Sequence, residues 1–194
     1  MMEDKFVDQQ GVYLLSHSVG LPLKTARSVG DAGFWEPWLA GNESIWSHWL
    51  AEIERFRGQL GTLLNSDESH FCPQTTISSA VNKIIFSLTP STHKNVILMS
   101  EEDFPSVAYA LQQSHGLGYQ MRYIPADLNL NDLAVWDEYL SDDVALVLVT
   151  QVQSNNGVQL PIGAVTAMAA ERSIRSLVDI AQAIGIPVSY THLT

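Results

Sequence analysis

Ser176-Leu-Val-Asp179-Ile-Ala-Gln182-Ala-Ile-Gly185 is the stretch on which the fold turns. A short apolar run ends in one carboxylate; small residues, a glutamine and a glycine follow. In an α/β protein this order predicts a buried strand that delivers Asp179 at its carboxyl end, where open sheets bind ligands. A carboxylate in that place suits a cationic ring nitrogen. The plain alternative is a buried aspartate capping the next helix.

Upstream the same alternation repeats. Val144 to Val149 is a continuous apolar run, as in a strand covered on both faces. It delivers Thr150, Gln151, Gln153, Ser154, Asn155 and Asn156, with Gly157 to close and Pro161 opening a helix over Ile162 to Arg172. A bare loop needs fewer amides, so this crowding marks a candidate site. Asn95 to Met99 and Gln120 to Pro125 read as strands. Helices follow each: one through Val107, Ala108, Leu111 and Gln112, ended by Gly116 and Gly118, and one over Asn131 to Leu140. Strand–helix alternation from Asn95 onward predicts a parallel, doubly wound sheet. Before it, Thr75 and Thr76 lead into the helical pattern Ile77, Val81, Ile84, Ile85 and Leu88. Hydroxyls at a helix start make either an anion site or a simple N-cap. Phe104, at the end of a strand, either stacks on a planar ring or belongs to the core.

The first third of the chain differs in texture. Trp35, Trp38, Trp46 and Trp49 lie within residues 34–50, and Glu43 to Leu64 has helical spacing with Asn42 as a cap. Such a cluster predicts core or a subunit interface. Val12 to Leu15 reads as a short strand and Ser16 to Pro22 as a loop.

Composition removes several functions. The net charge is −11 with no Lys/Arg cluster, which argues against nucleic acid. Cys72 is the single cysteine, read as a small buried filler; it excludes an internal disulfide and a cysteine metal cluster and suits a reducing, cytoplasmic setting. Asp142 and Asp143 read as a solvated turn without metal logic. The longest apolar run is too short for a membrane span, and no apolar segment follows Met1 as in a signal peptide. No Gly-x-Gly-x-x-Gly turn supports a nicotinamide site.

Taken together, these segments resemble fold-type-I pyridoxal-phosphate enzymes of the class V aminotransferase, kynureninase and cysteine desulfurase group. The 176–185 stretch is similar to their cofactor-anchoring segment, Asp103-Phe104-Pro105-Ser106 to a kynureninase-type segment, and Ser154 to Gly157 followed by Pro161-Ile162 to a desulfurase turn. The resemblance implies the large-domain fold, pyridoxal 5'-phosphate as cofactor, an amino acid substrate and a homodimer. By the same resemblance, Thr75 and Thr76 would hold the phosphate, Phe104 the ring face and Asp179 the ring nitrogen. Gln182 and Asn155 would approach the phenolic oxygen, with Thr150 beside them. Ser18 would lie near the substrate, where the opening of the chain looks like that of kynureninases. Two departures shift the reading away from kynureninase proper: Val107 stands where the pattern often carries an acid, and Gln182 where kynureninases carry histidine.

The family also requires a lysine a couple of dozen residues after the aspartate. The lysines here are Lys5, Lys24, Lys83 and Lys94, all before Asp179. The expectation is therefore an N-terminal fragment that lacks its catalytic lysine and is inactive alone. Its parts would be an N-terminal segment (1–65), a partial cofactor-binding domain (66–188) and a tail (189–194) that reads as adapter-derived. Within the class, transamination, desulfuration and kynureninase-type hydrolysis stay open, and a non-enzymatic α/β binding domain is the alternative from another class.

Overall fold

A computed structural model describes residues 5–41 and 44–185. Asn42, Glu43 and the tail from 186 fall outside them, so the Asn42 cap and the adapter-like tail do too. The chain divides into two compact units between Pro73 and Gln74.

In the first unit, α1 (Ala26–Gly30), a π-type turn (Asp31–Trp35) and α2 (Glu36–Leu39) precede the long helix α3 (Ile45–Leu64). The four tryptophans gather with Phe34. Phe34 stacks on Trp49 at 5.0 Å, and Trp35 stacks on Trp38 at 5.7 Å. They do not form a core, because Trp35, Trp38 and Trp46 remain exposed. The strand expected at Val12–Leu15 is absent. These residues run without regular pairing, and the nearby bridge joins Phe6 to Leu23. An isolated strand leaves its backbone unsatisfied. Cys72 is exposed, not a buried filler.

The second unit carries α4 (Ile77–Ser87), β1 (Val96–Ser100), α5 (Pro105–Gln112), β2 (Gln120–Ile124), α6 (Leu133–Tyr139), β3 (Val144–Thr150), α7 (Ile162–Glu171) and β4 (Arg175–Asp179). The four strands are parallel in the order β2-β1-β3-β4. Two apolar layers sandwich them. Val96, Leu98, Val147 and Val149 pack with Trp136 of α6 and Ile162, Val165 and Ala169 of α7. Ile97, Met99, Leu146 and Leu148 pack with Val81 and Ile85 of α4 and Val107, Ala110 and Leu111 of α5. Each such side chain removed from water contributes about 1.5–3 kcal/mol. A register shift between Val96 and Ile97 opposes Val96 to Val144 but Ile97 to Leu146. The extra residue is why Val144 shares a face with Val147 and Val149.

Helix α6 starts two residues later than the periodicity suggests, because Asp132 caps it, accepting from the Ala134 amide at 2.9 Å. Beyond α5 the chain tightens into a 3₁₀ turn, Gln113–Leu117, before Gly118 turns it at φ 96°. A positive φ there favours glycine.

Candidate cofactor site

Strand order locates the crevice. The chain leaves β1 for β2 on one side of the sheet and then crosses to β3 on the other. The carboxyl ends of β1 and β3 therefore flank the switch point, where ligands bind in open α/β sheets. The described β1–β3 pairing runs only to Leu98–Val147. The outer ladders go further: Glu101 N–H donates to Ile124 at 3.0 Å and Gln151 N–H to Asp179 at 2.8 Å. The sheet thus opens at its centre.

Into that opening comes Asp103, 6% exposed. Its Oδ1 accepts from the Thr150 hydroxyl at 2.6 Å and from Gln153 Nε2 at 3.3 Å; its Oδ2 accepts from the Ser100 amide at 2.8 Å. Burial pushes this carboxyl above the ordinary value of 3.8. The three donors pull the other way, and the charge of Asp179 adds to the rise. Next to it, Glu102 accepts from the amides of Asn155 at 2.5 Å and Asn156 at 3.1 Å. Gln153 Oε1 is buried with no hydrogen-bond partner among the described residues.

The expected site residues take these places. Asp179 ends β4, half-buried, beside Thr150 in the β3–β4 register; its Oδ1 accepts from the Ala181 amide at 2.9 Å. Gln182 is half-buried in the turn that follows. Phe104 is 47% exposed just before α5, so it is not a core residue. Thr76 is the N-cap of α4, its hydroxyl oxygen accepting from the Ser79 amide at 3.1 Å; Thr75 is exposed beside it. Asp179 and the flank of α4 share one apolar groove of about 330 Å³, whose lining includes Ile77, Ala80 and Ile84 of α4 and Asp179 to Ala181 but neither Thr75 nor Thr76. Thr150 and Asn155 are engaged by Asp103 and Glu102. Ser18 belongs to the first unit, exposed in a turn where its amide donates to Leu15 at 2.9 Å. Gln153 was among the amides that marked the strand end as a candidate site, whereas Asp103 and Glu102 were not read as site residues. Glu101-Glu102-Asp103 looks like a solvated acidic turn, and only the strand order shows that its third member is buried.

The donor set fits a phosphorylated pyridine ring. A helix start with two hydroxyls suits a dianion. A carboxylate suits a ring cation, and an exposed aromatic suits a ring face. The orphaned Gln153 Oε1 is an acceptor in reserve. Among the described residues, no group of three or more His, Cys, Asp or Glu side chains is placed to hold a metal, and no helix is long and apolar enough to cross a membrane.

Comparison with known proteins gives the family. The profile of the aminotransferase class-V family matches residues 44–192. Human kynureninase is 25% identical over 201 residues, covering 95% of this chain and 43% of that protein. A cysteine desulfurase IscS from Shewanella halifaxensis is 28% identical over 155 residues, 76% of this chain and 38% of that protein. The solved structure of a C-DES lysine-to-alanine mutant, with glycine covalently linked to its PLP cofactor, superposes with a TM-score of 0.76 at 20% identity. That superposition covers 86% of this chain and 46% of that one. The chain thus spans less than half the length of these relatives, with the parallel sheet of fold-type-I pyridoxal-phosphate enzymes, and it belongs to the aminotransferase class-V family.

Proposed function

We propose that this chain supplies the cofactor cradle of a pyridoxal-phosphate enzyme acting on an amino acid, aminotransferase-like in class. The observation that carries the reading is the juxtaposition of Asp179, the α4 start and the Asp103-filled crevice at the carboxyl ends of the strands. Bound pyridoxal phosphate supplies an electron sink for bonds at the substrate's α-carbon. In this reading Asp179 keeps a proton on the ring nitrogen by pairing with the charged form. Thr75, Thr76 and the first amides of α4 hold the phosphate, and Phe104 covers one ring face against water. Gln182 turns its amide toward the phenolic oxygen, with Thr150 and Asn155 forming the adjacent wall.

Lys94, Lys83 and Lys24 are each engaged by other groups. Lys94 stands at the amino end of β1, donating to the carbonyls of Arg172 at 2.6 Å and Ser173 at 3.0 Å. A five-residue strand puts that end about 16 Å from the carboxyl end. Lys83 donates to Gln74, and Lys24 pairs with Asp8 at 3.2 Å. We therefore place the covalent lysine outside these residues and expect the chain alone to be inactive. Kynureninase-like hydrolysis and cysteine desulfuration are the competing reactions. Val107 stands buried among apolar residues where the kynureninase pattern often carries an acid, which favours the other two. The whole protein is read as a cytoplasmic homodimer, supported by the exposed tryptophan face and the single cysteine.

The test is a titration with pyridoxal phosphate followed by borohydride reduction and peptide mapping. Weak saturable binding without a pyridoxyl group fixed on one lysine is expected. A stoichiometric, reducible link at one of the four lysines contradicts the reading.

A further inference from the structure

We propose that Asp103 is a positioning residue of the cofactor site: by gripping Thr150 and Gln153 across the crevice, it sets the slot between Phe104 and the strand that carries Asp179. The proposal rests on the cofactor reading above and concerns a residue that touches no cofactor atom in it.

The geometry is specific. Past Leu98–Val147 the described β1–β3 pairing ends, so backbone bonds do not fix how far apart the two strand ends stand. Asp103 spans that interval. One oxygen is anchored on its own strand end at Ser100, and the other takes Thr150 and Gln153 from the neighbouring one. The chain neighbours of this clamp are the proposed ring contacts. Phe104 directly follows Asp103, and Thr150 is the register partner of Asp179. Moving Thr150 relative to Asp103 therefore moves the carboxylate that meets the ring edge relative to the phenyl that meets its face. Glu102 secures the far end of the same turn through Asn155 and Asn156.

A purely structural filler for this crevice would be apolar. Asp103, Thr150 and Gln153 are 6%, 3% and 2% exposed, and a buried carboxylate costs free energy unless it is well bonded. Polar groups in such a place are tolerated when their directionality fixes an arrangement that packing alone leaves loose.

The experiment titrates the 194-residue chain with 4'-deoxypyridoxine 5'-phosphate, which forms no covalent link to an amine. Binding is followed by fluorescence, and the ring's orientation by its induced circular dichroism. Asp103→Ala, Asp103→Asn, Thr150→Val and Asp179→Asn are compared at a temperature where far-ultraviolet dichroism shows each to be folded. The inference expects Asp103→Ala to weaken binding at least tenfold and to change the induced signal at saturation. Asp103→Asn and Thr150→Val should give smaller changes in the same direction. Should Asp103→Ala not fold, the other two decide. Unchanged affinity and unchanged induced signal in Thr150→Val and Asp103→Asn, even with a lowered melting temperature, overturn the inference and leave the cofactor reading standing. Absence of saturable binding by the unaltered chain, or binding indifferent to Asp179→Asn, overturns the cofactor reading itself.

Discussion

Two aspartates show how environment sets the role of one side chain. Asp103 is buried, and its carboxyl rises above 3.8 mainly for that reason. The folded state then holds the proton more tightly than the unfolded chain, so this group's stabilisation is fully present below about pH 4 and fades as pH rises through the folded value. Asp143 does the reverse. The hydrogen bonds from Arg122 and Ser141 hold it at about 2, so its contribution is present above pH 3.8 and is lost as pH falls toward 2. That pair is about 35–43% exposed, which limits its worth to under about 1 kcal/mol. Urea denaturation from pH 3 to 7 checks both signs. The stability of the unaltered chain relative to Asp103→Asn should fall with rising pH, and relative to Asp143→Asn it should rise. Phe104 is a different case. Its ring is 47% exposed, so Phe104→Ala should change stability by less than about 1 kcal/mol. It should nevertheless weaken cofactor binding by about three- to tenfold through lost stacking, measured by fluorescence titration.

Among the elements, α3 and α4 show what sequence pattern carries and what it omits. Apolar spacing located both helices, and Thr76 was legible as a cap. Removing it in Thr76→Ala should cost about 1 kcal/mol in a urea melt, while Thr75→Ala should cost nothing measurable. Pattern says nothing about close approach. A Cβ on Gly61 would meet the Ser66 carbonyl oxygen at 2.8 Å, whereas one on Gly58 would meet only the end of the Glu68 side chain at 3.2 Å. Alanine gains about 1 kcal/mol of helix propensity over glycine. Gly58→Ala is therefore expected to stabilise and Gly61→Ala to destabilise, a difference of sign that thermal melts resolve. The Val12–Leu15 run failed for a related reason: strand character requires a partner strand, and alternation in one segment does not reveal one.

At the scale of the molecule, the parallel sheet was legible because Val144 to Val149 and Val96 to Met99 are apolar on both faces and alternate with helical segments. The places of Asp179 at a strand end, of Phe104 before α5 and of Thr76 at the start of α4 were legible because these residues punctuate those segments. The crevice was not, since it depends on strand order and on where the β1–β3 ladder stops, and neither leaves a local mark. Asp103 was therefore read only as part of the Asp103-Phe104-Pro105-Ser106 segment. The exposed tryptophan face likewise differs from a core only in what surrounds it. We propose above all that Asp179 pairs with the ring nitrogen of a cofactor held at the carboxyl end of this sheet. A charge-assisted hydrogen bond of that kind contributes roughly 1.5–3 kcal/mol, about ten- to a hundredfold in affinity. Isothermal titration of the chain with pyridoxal 5'-phosphate, beside Asp179→Asn, measures it most directly. One site per chain is expected, weakened at least tenfold by the substitution; equal affinities in the two proteins would show that Asp179 does not pair with the ring.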